Sequence, residues 1–126
     1  SIRSKQAPSR ATRKLHKGDV LFSMVRPYLR NIAQVDRDYA NAIASTGFYV
    51  ITPTATIIQD YLFFMMQSSY VVDGLNQFMK GDNSPSITNK DIENYAYPIP
   101  PIKEQQRIVA AIKYYYRILD DISANL

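Results

Sequence analysis

The chain has 126 residues, 46% hydrophobic and 21% charged, which is enough for one domain with a packed core and too short for two. It contains no cysteine, so disulfides and thiolate metal sites are excluded, and no apolar run approaches the roughly 20 residues of a membrane span. The net charge of +4 hides a polarised distribution, because residues 1–30 carry eight basic side chains against Asp19 alone, a net +7, and the rest of the chain carries −3.

A basic end of this kind points to a polyanionic partner, with a solvated arm as the plain alternative. The opening Ser-Ile-Arg-Ser-Lys-Gln lacks the apolar core of a signal peptide, and a cytoplasmic location is expected. It also lacks an initiating Met, as an excised piece would.

Residues 1–17 read as a basic arm or loop interrupted by Pro8. Gly18-Asp19 marks a turn, and Val20–Val25 is a short run rich in strand formers that Arg26-Pro27 closes. Leu29–Val35 alternates apolar and polar residues, and Asn41–Ser45 and Phe48–Thr52 make two further strands. Their connections are too short for crossover helices, so the sheet is expected to be antiparallel and rich in hairpins.

The period then becomes helical. Ile58, Leu62, Met65, Met66, Val71, Val72, Leu75, Phe78 and Met79 predict two short helices or one bent helix over residues 58–80, capped by Gly81 and serving as core. Thr88-Asn89-Lys90-Asp91 resembles a capping box that opens one helical turn, and Tyr95–Ile99 reads as an edge strand. Pro101, with Glu104 in the first turn, starts a last helix. The fold class is α+β: a small, mostly antiparallel sheet with two short helices and a C-terminal helix of coiled-coil type.

That helix carries Ile108, Ile112, Tyr115, Leu119, Ile122 and Leu126 in alternating steps of four and three, the a/d spacing of a seam that packs on another helix. The seam either takes an external partner, including a second copy, or folds back on its own domain. Tyr114, Tyr115 and Tyr116 favour a crowded interface over a solvated tail.

The residues offer little for catalysis. His16 stands alone, no glycine-rich phosphate loop occurs, and no nucleophile stands beside a base and an orienting group. A small nuclease or methyltransferase is therefore disfavoured, and no metal or cofactor is expected. Two polar clusters suit DNA better. Ser23, Arg26, Tyr28, Arg30 and Asn31 surround one turn, and Lys80, Asn83, Ser84, Ser86, Asn89 and Lys90 surround a Ser-Pro-Ser loop. With Arg10 and Arg13 of the arm, these types suit phosphates and base edges, although each alone is an ordinary surface group.

Lys17–Ser23 followed by Arg26-Pro27-Tyr28-Leu29-Arg30 resembles the "KGDILFS…RP.LR" stretch of type I restriction–modification specificity subunits. Gly81–Ile87 is similar to their loop ending in Pro-Ser-Ile. Tyr97–Val109, with Glu104-Gln105-Gln106-Arg107-Ile108-Val109, is similar to the "P.P…EQQRIV" element that opens their spacer helix.

The resemblance implies that residues 1–99 are part of a DNA target-recognition domain and residues 100–126 the start of the spacer helix. It implies a non-catalytic component that reads half of a bipartite site in double-stranded DNA. It further implies docking on methyltransferase subunits, which carry S-adenosylmethionine, in a complex whose restriction subunit cleaves. The family's domain begins with a further segment and its spacer helix runs on, so a fragment or half-subunit is expected. A truncated seam of this kind is expected to pair with a second copy of itself. The alternative is a structural fragment that self-associates through the helix without binding DNA.

Overall fold

The computed structural model describes residues 10–45 and 47–126. In chain order these form β1 (Arg10–Leu15), β2 (Val20–Ser23), a 3-10 turn (Pro27–Leu29), β3 (Ile32–Gln34), β4 (Tyr39–Ser45), β5 (Phe48–Ile51), α1 (Gln59–Gln67), α2 (Ser69–Asn76), α3 (Asn89–Asn94) and α4 (Ile102–Ala124). The fold is α+β, with antiparallel strand pairs, three short helices and one long one.

β1 pairs with β4, and β2 lies between β3 and β5. The registers reveal one long antiparallel ribbon. Arg10 lies opposite Ser45 and Leu15 opposite Tyr39, and beyond a break Val20 lies opposite Gln34 and Phe22 opposite Ile32. At the break, His16–Asp19 forms a tight turn closed by Asp19 N–H on the His16 carbonyl, with Gly18 at φ 92°. That value suits the third position of a type II turn, where glycine carries no steric cost. The buried Asp19 carboxylate accepts the His16 N–H, while Gly18 and Val35 keep the two strands joined.

Strand alternation places Val20 and Phe22 inward, where they meet Leu62, Met65 and Met66 of α1 and Val71, Val72 and Leu75 of α2. Ile87, Ile92 and Val109 close this core from the far end of the chain. The expected Met and apolar stripe is thus core, except that Phe78 is exposed. α2 packs closely on the segment before α4. Its Gly74 faces the Tyr95 ring, whose hydroxyl donates to the Tyr70 carbonyl at 2.6 Å, and any Cβ on Gly74 would collide with that ring.

Several sequence expectations need correction. Residues 10–15 of the arm form a strand, because β4 supplies a ladder, shifted once between Arg13 and Leu15, for a mostly polar segment; residues 1–9 lie outside the described residues. The sheet is less rich in hairpins than expected, since β4 and β5, though close in sequence, pair with different strands. Of the two alternatives for the helical stretch, the structure has two short helices, divided at Ser68, whose Oγ accepts the Val71 N–H. It ends at Asn76, and Gly81 (φ 109°) serves the following loop, not a helix cap.

Tyr95–Ile99 is not a strand, because its groups bond singly elsewhere: the Tyr97 hydroxyl donates to the Ile92 carbonyl, and the Pro98 and Ala96 carbonyls accept from Tyr61 and Tyr70. The capping box at Thr88 and Asp91 is present and opens α3, a six-residue helix.

Candidate nucleic-acid interface

The two polar clusters, joined by bonds that span more than 50 residues of sequence, form one face. Ser86 bridges to Lys80 on one side and to Val25 on the other, so three short segments lie in a row. The Arg26 N–H donates to the Pro85 carbonyl at 2.8 Å, the Ile87 N–H donates to the Met24 carbonyl at 2.9 Å, and the Arg26 guanidinium donates to the Asn83 carbonyl. Loop 24–31 and loop 80–87 are therefore joined by main-chain hydrogen bonds, each holding the other in place.

Within the first loop the backbone is strained on purpose-built supports. Arg26 (φ 47°) and Arg30 (φ 53°) are both left-handed and flank the 3-10 turn. A residue before proline ordinarily stays extended, so Arg26 departs from the sequence rule. Such conformations persist only where surrounding bonds over-determine them, and here Leu29 N–H to Arg26 O, Arg30 N–H to Pro27 O and Ile32 N–H to Arg30 O do so at 2.9 Å. Pro27 is buried, and the turn packs on α2, where the Arg30 guanidinium reaches the Ser69 hydroxyl at 3.5 Å.

Of the residues expected to meet DNA, Arg26, Tyr28, Arg30, Lys80, Asn83 and Ser84 are exposed on this joined face, and Ser86 is half-buried within it. Asn89 and Lys90 lie nearby in sequence on the exposed first turn of α3. Ser23 is buried, and its hydroxyl donates to the Val25 carbonyl, so it serves the fold. Arg10 and Arg13 contribute backbone to β1, and their side chains lie outside the described residues. The acid Asp82 stands in the second loop among the basic groups.

The terminal helix divides in two. Gln105 is fully buried in its first turn: its Oε1 accepts the Ile58 N–H at 2.9 Å, and its Nε2 donates to the Thr56 and Pro100 carbonyls, both at 2.8 Å. Val109 is buried, and Ile108 and Ile112 line a small apolar cleft with Tyr61, Phe64 and Pro98. Lys113 reaches Asp60 at 2.6 Å, and Gln34 donates to the same carboxylate at 3.2 Å. These bonds hold the Asp60 pKa below its ordinary value. Beyond Lys113 every residue is exposed, including Tyr115, Leu119, Ile122 and Leu126 of the expected seam.

Sequence reasoning missed Gln105 as a structural centre. The only available signal was an amide one helical position from the exposed Gln106, in register with Val109.

A separate concavity of about 360 Å³ lies between β5, α1 and α3, lined by Ile51, Leu62, Met66, Ile92 and Tyr97. Glu93, its one acid, already accepts from the Tyr49 hydroxyl at 2.9 Å. Burial pushes the Tyr97 phenol pKa up, so its proton stays on the bond to Ile92. Among the described residues no three His, Cys, Asp or Glu side chains gather as a metal-binding group, and no helix is long and apolar enough to cross a membrane.

Residues 4–126 match the model of the type I restriction modification DNA specificity domain. The chain is 31% identical over 111 residues to the type I restriction enzyme HindI specificity subunit of Haemophilus influenzae, covering 86% of this chain and 24% of that one. It is 26% identical to the EcoDI specificity subunit of Escherichia coli, covering 92% and 25%. The crystal structure of the HsdS subunit from Thermoanaerobacter tengcongensis superposes with a TM-score of 0.77 at 37% identity, over 94% of this chain and 31% of that one. A chain from a structural study of assembly and conformational transition in a type I R-M system superposes with a TM-score of 0.78 at 36% identity, over 95% and 31%. The chain thus spans about a quarter of the length of these curated relatives.

Proposed function

The chain belongs to the family of type I restriction modification DNA specificity domains, and from that premise we propose that it reads part of one half of a bipartite target in double-stranded DNA. The reading surface is the face where loops 24–31 and 80–87 meet. One observation carries the assignment: the main-chain bonds from Arg26 to Pro85 and from Ile87 to Met24 join the two loops that carry Arg26, Arg30, Lys80 and Asn83. Arginine and lysine there supply phosphate contacts, and the asparagine and serine groups supply base-edge or phosphate hydrogen bonds. The work belongs in the cytoplasm, beside methyltransferase and restriction subunits, and the chain contributes recognition without chemistry of its own.

Titration against a mixed-sequence duplex over a range of salt tests this. Log affinity should fall with log salt at a slope of roughly −0.9 per phosphate neutralised. Lys80→Ala and Arg30→Ala should each reduce the slope by about one. No detectable binding at low salt would overturn the proposal.

A second function falls to α4. Its outer half, with Tyr115, Leu119, Ile122 and Leu126 exposed on the a/d positions, docks on a helix of the assembled complex or on a second copy of the chain.

A further inference from the structure

The tip of the 3-10 turn presents apolar surface that neither the core nor the charge of the face explains. Tyr28 is 46% and Leu29 55% exposed, while Pro27, in the same turn, is buried. The turn is held by the hydrogen bonds from Leu29 to Arg26 and from Arg30 to Pro27, by Arg26 on Pro85, and by α2 behind it. Two side chains serving only the fold would be turned inward. Here the turn that carries them is flanked by two left-handed arginines, Arg26 and Arg30.

We propose that Leu29, with Tyr28 beside it, is a wedge that enters between adjacent base pairs of duplex DNA as the flanking basic groups meet the phosphates. Such a wedge must be apolar, fixed before binding and bordered by cations, because it unstacks a base step and must recover that cost through backbone contacts. Leu29 lies between Arg26 and Arg30 in sequence, and the row from Val25 through Ser86 brings Lys80 to the same face. The Arg26 guanidinium is tied to the Asn83 carbonyl, whereas Arg30 has only the long 3.5 Å contact to the Ser69 hydroxyl, so Arg30 and Lys80 are the cations readier to meet phosphates. The inference rests on the reading of this face as a DNA interface.

The test compares two duplexes of one sequence, the second carrying a single unpaired nucleotide at its centre, where stacking is already broken. The chain should bind the bulged duplex about tenfold more tightly, since the cost of unstacking is then largely met. A Leu29→Ala variant should bind both duplexes equally and keep the salt slope, with its thermal unfolding unchanged. Equal binding of both duplexes by the unaltered chain, or an unchanged preference in the variant, would overturn the wedge and leave the DNA interface standing. Absence of binding to either duplex at low salt would end both. Unaltered DNA behaviour of the variant, with loss of capture by the system's methyltransferase subunit, would assign the tip to protein contact instead and overturn the wedge.

Discussion

Along α4, the residues up to Lys113 and those after it share one apolar spacing but meet different surroundings. In the first half Gln105 and Val109 are buried and Ile108 packs on the core; in the second, Leu119 is 57% exposed and Ile122 53%. The seam from Ile108 to Leu126 is continuous in sequence, yet its first two members are taken by the chain's own domain. Helical periodicity reports that a face is apolar, not whose surface it covers. What separates the halves is the polar fixing: three hydrogen bonds from one glutamine, then the Lys113–Asp60 pair, and after these no further attachment to the domain beyond the Phe64–Tyr116 ring contact, among the described residues.

The contrast breaks most sharply at Gln105. Gln105→Ala should lower stability by about 2–4 kcal/mol, because the Ile58 N–H and the Thr56 and Pro100 carbonyls lose their partners in a buried place. Urea unfolding would show the midpoint falling at constant slope.

A smaller effect is expected from acid. The folded pKa of Asp60 is lowered, so the stability it lends α4 is present above the ordinary carboxylate pKa and lost as pH falls through the folded value. The pair is more than a third exposed, so the loss should stay below about 1 kcal/mol. Asp60→Asn should remove that part of the acid dependence, as followed by thermal unfolding between pH 7 and the acid limb.

The smallest effect on stability belongs to the outer half. Leu119→Ala should change it by less than about 0.5 kcal/mol, yet weaken self-association seen by sedimentation at rising concentration. An unaltered chain that stays monomeric throughout would sharpen the contrast differently, by removing a second copy as the partner of the outer half.

The parts of the fold legible in the sequence were those whose pattern and environment agree. Val20 and Phe22 alternate because they face a core on one side, and Thr88 and Asp91 cap a helix with their own side chains. β1 was illegible because its ladder partner lies far along the chain and its polar residues give no strand period. Tyr95–Ile99 misled in the opposite sense: its composition suits a strand, but tyrosine hydroxyls take the carbonyls a neighbouring strand would need.

For the candidate site, the two clusters were visible as residue types. Their union was not, since it depends on main-chain bonds across more than 50 residues. Nor did any local rule foresee a left-handed arginine before proline.

The break in the long ribbon has a consequence for how this fold tolerates change in length. Inside the break, register is pinned by Val20 and Phe22, and a one-residue shift would turn both away from the core. Outside it, the pairing of β1 with β4 already slips between Arg13 and Leu15, and the turn at His16–Asp19 keeps that slip from reaching β2. Insertions and deletions in the outer ribbon therefore leave the alternation of Val20 and Phe22 intact, so that ribbon can grow, shrink and diversify without disturbing the core.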